Sequence, residues 1–254
     1  MVTPRQFQAS LAGASSIYLL LLSLYPGQVG ANPLKLEHSS TNRSPQSARG
    51  QRIYIPPVQA APRTTQGSSG SRGCEESIPA SLRLLVPDNH VGQTMQGHPT
   101  FFWFVSGGVG LPMEFAIVEP KVAQPIYVTQ KFVRKTEIMK VTLPGHLPQL
   151  EPGKAYRWSV SLICNPKQRS SSIYAQSWIE RSLPPSDLAT KLASAKTDYE
   201  RTITYAQSGF WYDALSAIDT ARKAKPQDPE ILTMRRLLLE QVGLSQVVDY
   251  STEM

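Results

Sequence analysis

The side chains of this 254-residue chain that could do chemistry are few: four histidines, His38, His90, His98 and His146, and two cysteines, Cys74 and Cys164. A hydrolytic triad needs a nucleophile, a base and an orienting acid brought together. Asp88 beside His90 offers the last two, yet no serine stands in a Gly-x-Ser-x-Gly elbow. His90, His98 and His146 all fall in turn-like sequence, where a solvated ring is the simpler expectation. His90 with His98 is also a weak match to metal-ligand spacing. Gly107-Gly108-Val109-Gly110 lies between strand-like segments, not ahead of a helix, so it reads as a hairpin loop and not a phosphate cradle. Glu180-Arg181 beside Trp178 could form a binding patch, but charges at a strand end more simply guard an edge. Arg235-Arg236 reads as a solvated helix face beside the apolar Leu237 to Leu239. The expectation is no catalytic, cofactor-binding or metal-binding residue, and no enzyme.

The elements that must hold these side chains are easier to read. In the stretch Leu150 to Cys164, Tyr156, Trp158, Val160, Leu162 and Cys164 share one face while Arg157, Ser159 and Ser161 share the other. That period of two marks a half-buried strand. Ahead of it, Leu150-Glu151-Pro152-Gly153 followed by Tyr156 resembles the tyrosine corner of Greek-key sandwiches. Strands are predicted near Leu82 to Val86, Thr100 to Val105, Met113 to Glu119, Ile126 to Phe132, Glu137 to Leu143, Ala155 to Cys164 and Ile173 to Arg181. Pro87-Asp88-Asn89, Pro144-Gly145 and Asn165-Pro166 supply turns between them. The run Phe101 to Val105 does not alternate, so one face should meet a core and the other the helices that follow.

The N-terminus reads as a secretory leader over residues 1–31: Arg5, an apolar run from Ile17 to Leu24 too short to span a bilayer, and a cleavage-competent Val29-Gly30-Ala31. Residues 32–73 are polar and read as a disordered basic linker, with Ile53 to Val58 an apolar island that is more simply incidental than docked. Export leads to an oxidising compartment, where Cys74 and Cys164 most simply pair, two free buried thiols being the alternative. In a chain-entropy account that crosslink stabilises by about 4–5 kcal/mol. Through Gly73 the sequence holds seven Lys and Arg against one acid, out of 26 bases and 19 acids, leaving 19 and 18 beyond it. The net charge of +7 thus belongs to the leader and linker, and a nucleic-acid partner is not expected. No later segment is apolar enough to cross a membrane.

After Leu183-Pro184-Pro185 the period changes to 3.6, so a β-sandwich over 74–183 is expected to give way to a helical module over 186–245. Helices are predicted over Leu188 to Gln207, capped by Ser186-Asp187, then Trp211 to Lys225 and Pro229 to Val242, the last ending at Gly243.

Tyr205, Gly209, Trp211, Ala214, Ile218, Ala221 and Pro226 resemble about one and a half tetratricopeptide repeats, with Thr202 where that motif usually has glycine. So short an array must lean on the sandwich or on a partner. The segments Leu85 to Asn89, Pro99 to Phe104, Met113 to Phe115, Tyr156 to Cys164, Trp178 to Arg181 and Trp211 to Leu215 resemble, in content and order, the family called domain of unknown function 928. That resemblance implies an exported, mainly cyanobacterial protein and supplies no activity. The expected fold is α+β: an immunoglobulin/fibronectin-like β-sandwich followed by a short tetratricopeptide-like α-helical module. The expected function is that of a periplasmic or extracellular binding or scaffold protein, docking a protein or peptide partner in the cell envelope where the two modules meet. A carbohydrate-binding sandwich using Tyr174 and Trp178, and a cell-envelope hydrolase using Asp88 and His90, are the alternatives.

Overall fold

The computed structural model describes residues 52–57, 67–69, 74 and 79–248. The expected leader, His38 and most of the expected linker lie outside the described residues. The strands are β1 (Gly67–Ser69), β2 (Ala80–Leu84), β3 (Gly92–Thr94), β4 (Thr100–Gly107), β5 (Pro112–Val118), β6 (Tyr127–Phe132), β7 (Glu137–Thr142), β8 (Ala155–Leu162) and β9 (Ile173–Arg181). The helices are α1 (Leu188–Ser194), α2 (Asp198–Gln207), α3 (Trp211–Ala224), α4 (Pro229–Gln241) and α5 (Ser245–Val248). The fold is α+β, with strands first and helices after.

The larger sheet runs β1-β9-β8-β5-β6, with β3 also on β9, and the smaller runs β2-β4-β7. All pairings are antiparallel except β3 on β9. Side-chain alternation decides which face meets the core: Met113, Phe115 and Ile117 on β5 are buried, as are Tyr156, Trp158, Val160 and Leu162 on β8. Opposite them, Phe101 of β4 sends its ring to within 5.0 Å of both Phe115 and Trp158, and Trp103 lies 6.1 Å from Phe115. The two sheets therefore face each other across an aromatic layer. Phe102 and Phe104 are buried too. Lys140 of β7 stands 5.8 Å over the Phe102 ring and bonds Asp219 of α3, which brings the helices over that outer side.

Two crosslinks fix the long β8 strand. Cys74 and Cys164 are joined, Sγ to Sγ 2.07 Å. At the other end the Glu151 N–H donates to Tyr156 Oη at 2.9 Å, closing the turn before β8.

Sequence patterning misplaced several features. The predicted helix Leu188 to Gln207 is two helices, because Thr197 and Glu200 form a reciprocal capping box that starts α2 afresh after an extended Ala195. Asp187, predicted to cap, instead pairs with Lys191 at 2.7 Å. The stretch 32–73 is not all linker. Ile53 and Tyr54 are buried, Ile55 N–H donates to Ala206 O at 3.0 Å, and β1 pairs with β9. The apolar island is therefore docked, not incidental. It satisfies its backbone through Gln241, whose Oε1 accepts from Ile53 N–H and Tyr54 N–H at 3.0 Å each and whose Nε2 donates to Tyr54 O.

Candidate functional site at the seam between sheets and helices

One hydrophobic core runs from the sheets into the helices, and three consecutive residues at the start of α3 make the join. Gly209, at φ +84°, turns the chain between α2 and α3 in a conformation that glycine adopts without strain. Trp211 and Tyr212 then drive into the sheets. Trp211 Nε1–H donates to Leu85 O at 2.9 Å. Trp158 Nε1–H donates to Tyr212 Oη at 2.8 Å, and the Tyr212 O–H donates to Trp178 O at 3.1 Å. The Tyr212 ring lies so close to β3 that a Cβ on Gly92 would sit 2.8 Å from it. Burial pushes the Tyr212 hydroxyl far above its usual range, so it stays protonated and can donate.

His90 belongs to the same seam. It is 5 % exposed, which corrects the expectation of a solvated turn. Its Nδ1 lies 2.7 Å from Asn89 Oδ1 and its Nε2 lies 2.7 Å from Tyr54 Oη. A carboxamide oxygen only accepts, so Nδ1 carries the proton and Nε2 accepts from the tyrosine. Burial lowers the His90 pKa, which favours this neutral ring, and raises that of Tyr54. Tyr54 in turn meets Trp211 edge to face at 5.1 Å. Both nitrogens of His90 are therefore taken, neither by Asp88, whose carboxylate faces Arg83 at 3.6 Å. His98 Nε2–H donates to Leu147 O at 2.8 Å, His146 is exposed, and no group of metal ligands assembles among the described residues.

Arg181, read as a guard at a strand end, is instead a tie: Nε donates to Met95 O at 3.3 Å and Nη1 to Leu150 O. Tyr174 and Trp178 are half-buried on one face of β9, and the Tyr174 O–H donates to Gln176 Oε1 at 2.9 Å. Arg235 is buried, unlike its exposed neighbour Arg236, correcting the expectation of a shared solvated face.

The third residue of the join is different. Asp213 is 4 % exposed, and its Oδ2 accepts from Met95 N–H at 3.1 Å, while Oδ1 is buried with no hydrogen-bond partner among the described residues. Burial raises its pKa to about 7, with Thr94, the N–H groups of Met95 and of Asp213 itself, and the Gln96 side chain pulling the other way. The carboxyl lines a hollow of about 210 Å³ with Gln96 from the loop after β3, Arg201 and Tyr205 from α2, and Ser216 and Thr220 further along α3. Arg201 is held over its rim by Asp198 at 2.9 Å. The hollow thus lies where the sheet-bearing part meets the helices, with a half-satisfied acid at its floor. Sequence reasoning passed over Asp213; the signal was an acid flanked by Trp211, Tyr212, Ala214 and Leu215, where a solvated side chain is out of place.

No curated protein matches the sequence. Residues 67–252, spanning every strand and helix described above, match the family described as Domain of Unknown Function (DUF928), and the chain belongs to that family.

Proposed function

We propose that the protein is an exported, noncatalytic binding or scaffold protein that docks a protein or peptide partner in the cell envelope at the hollow around Asp213. The observation that carries this reading is the buried, unpartnered Oδ1 at the floor of an open hollow between two parts of the fold. Once the carboxyl ionises, above about pH 7, this buried acceptor left without a donor costs about 1–3 kcal/mol, and a donor from a partner offsets that cost. Gln96 is exposed and Arg201 and Tyr205 are half-buried, so rotation of these rim side chains opens the way to the acid. The residues first considered for hydrolysis support a noncatalytic role, since His90 is used in the core.

The finer architecture belongs to the same proposal. The sheets form an immunoglobulin/fibronectin-like sandwich with Tyr156 as its corner, supported by the aromatic layer and the Tyr156 bond. The α2–α3 hairpin is tetratricopeptide-like, supported by small buried Ala206, Ala214 and Ala221 and by Gly209 at the turn.

A photoreactive residue placed at Ser216 in the full chain, crosslinked in its native host and followed by mass spectrometry, tests the docking claim. One discrete polypeptide adduct, lost when Asp213→Asn is added, is expected. No adduct, or the same adduct from a probe at the exposed Val109, would sink it. Half-buried Tyr174 and Trp178 on one face of β9 favour a second reading, carbohydrate binding. A glycan array with wild type and Trp178→Ala decides it, since an unchanged pattern removes that reading.

A further inference from the structure

We infer that the exposed edge of the larger sheet, β6 with the loops at its two ends, is a contact surface for an anionic lipid membrane, held there by apolar and basic side chains together. β6 ends the sheet order, with β5 its one neighbour among the described residues. Of the seven large apolar side chains exposed among the described residues, four lie here: Val128 and Phe132 on β6, Val122 in the loop before it and Val109 in the loop beside its end. Phe132 and Val109 are each 64 % exposed. The register brings them together, since Phe132 stands opposite Pro112 and Gly110 N–H donates to Val133 O at 2.8 Å. Val128 and Phe132, four residues apart on a strand, share a face.

Lys121, Lys131, Arg134 and Lys135 are interspersed with these side chains and are exposed. None of the four forms an ion pair among the described residues. The flanking segments carry three carboxylates, of which Glu114 is taken by Arg169 at 2.9 Å and Glu119 by Lys154 at 3.0 Å, leaving Glu137. Four positive charges thus face one negative charge, an excess of three. Lys121 stands at the third position of a turn that Val122 N–H closes on Glu119 O at 3.2 Å, and its φ of +69° is one that glycine adopts there without strain. A lysine kept in that conformation is strain of the kind that gathers at functional sites.

An anionic headgroup layer answers the charges, and the acyl boundary beneath it takes the valines and Phe132. An acidic polypeptide or a charged glycan answers the charges but gives less to isolated aliphatic side chains. The outward N–H and C=O groups of an edge strand must stay hydrated, so the contact stops at the headgroups. The six residues of β6 make it about 20 Å long. This contact is separate from the hollow around Asp213 and stands or falls apart from docking there.

The competing explanation is that the lysines only guard the edge against pairing with another chain. Flotation of the full chain with vesicles separates the two. The probes are vesicles of phosphatidylcholine alone and of equal parts phosphatidylcholine and phosphatidylglycerol. The wild type is expected to float with the anionic vesicles and less so as salt rises. Phe132→Ser, and Arg134→Gln combined with Lys135→Gln, should each weaken partitioning about fivefold or more, while Leu183→Ser, at an exposed apolar side chain away from β6, should leave it unchanged. The leader and basic linker are the same in every variant, so the difference between Phe132→Ser and Leu183→Ser reads the patch. No flotation with anionic vesicles, equal flotation with phosphatidylcholine alone, or either patch variant partitioning like wild type would overturn the inference. Binding to soluble polyglutamate without flotation would also overturn it and assign the patch to an acidic polypeptide. Circular dichroism checks the fold of each variant.

Discussion

Trp211 and Tyr212 on one hand, and Asp213 on the other, are chain neighbours in the first turn of α3 and meet the sheets in opposite ways. The two aromatic residues are satisfied completely: Trp211 Nε1 on Leu85 O, and Tyr212 Oη both accepting from Trp158 and donating to Trp178 O. Asp213 is as buried but has one oxygen without a donor. Satisfied polar groups in a packed core make a rigid frame. An unsatisfied one beside an open hollow is a cost carried within that frame, and such costs gather at functional sites. Under the proposed function, the seam is the frame and the hollow the working surface.

Substitutions on the two sides should behave differently. The largest effect belongs to the seam: Trp211→Ala is expected to cost about 3–5 kcal/mol, measured by denaturant unfolding, and a loss below about 1 kcal/mol would mean that Trp211 does not hold the helices to the sheets. Asp213→Asn should act in the other direction and with pH. The folded carboxyl titrates at about 7, above the roughly 3.9 of an unfolded aspartate. Between these values the folded protein keeps a proton that the unfolded chain has lost, so Asp213 erodes stability as pH rises from about 4 to about 7. Asparagine still accepts from Met95 N–H but cannot ionise, so the variant should gain about 2–4 kcal/mol over wild type above about pH 7, the gain fading towards pH 4. A gain independent of pH would remove ionisation from the account. Tyr212→Phe should cost about 1–3 kcal/mol by orphaning the buried Trp158 Nε1–H, with no pH-dependent component between pH 5 and about pH 8. The smallest effect is expected at His90. Its folded pKa is lowered, so its contribution is full above the unfolded value of about 6.5 and is lost as pH falls below it, where the unfolded chain takes up the proton first. His90→Gln should flatten that acid limb, and a limb parallel to wild type would show that His90 is not held neutral.

How much of this was legible depended on whether the signal was local. Tyr156 to Leu162 alternates strictly, so its strand and its buried face could be read residue by residue, and Gly243 marked the end of α4. The three-residue strands β1 and β3 carry no period, and the docking of Ile53 and Tyr54 rests on Gln241 and Ala206, about 190 and 150 residues later in the chain. The Thr197–Glu200 box was present in the sequence but was hidden inside a continuous helical pattern. Asp213 and Arg235 were illegible for a different reason. An acid in a helix's first turn suits the helix dipole and an arginine beside another reads as surface, and only packing from β3 and its following loop, or from α3, removes each from water.

The most direct test of the hollow is a carbon-13 NMR titration of the Asp213 side-chain carboxyl in the full chain. A midpoint near 7 is predicted, moving when the crosslinked partner is added. A midpoint in the ordinary aspartate range near 4, unmoved by partner, would mean that the acid is already satisfied and would contradict the account.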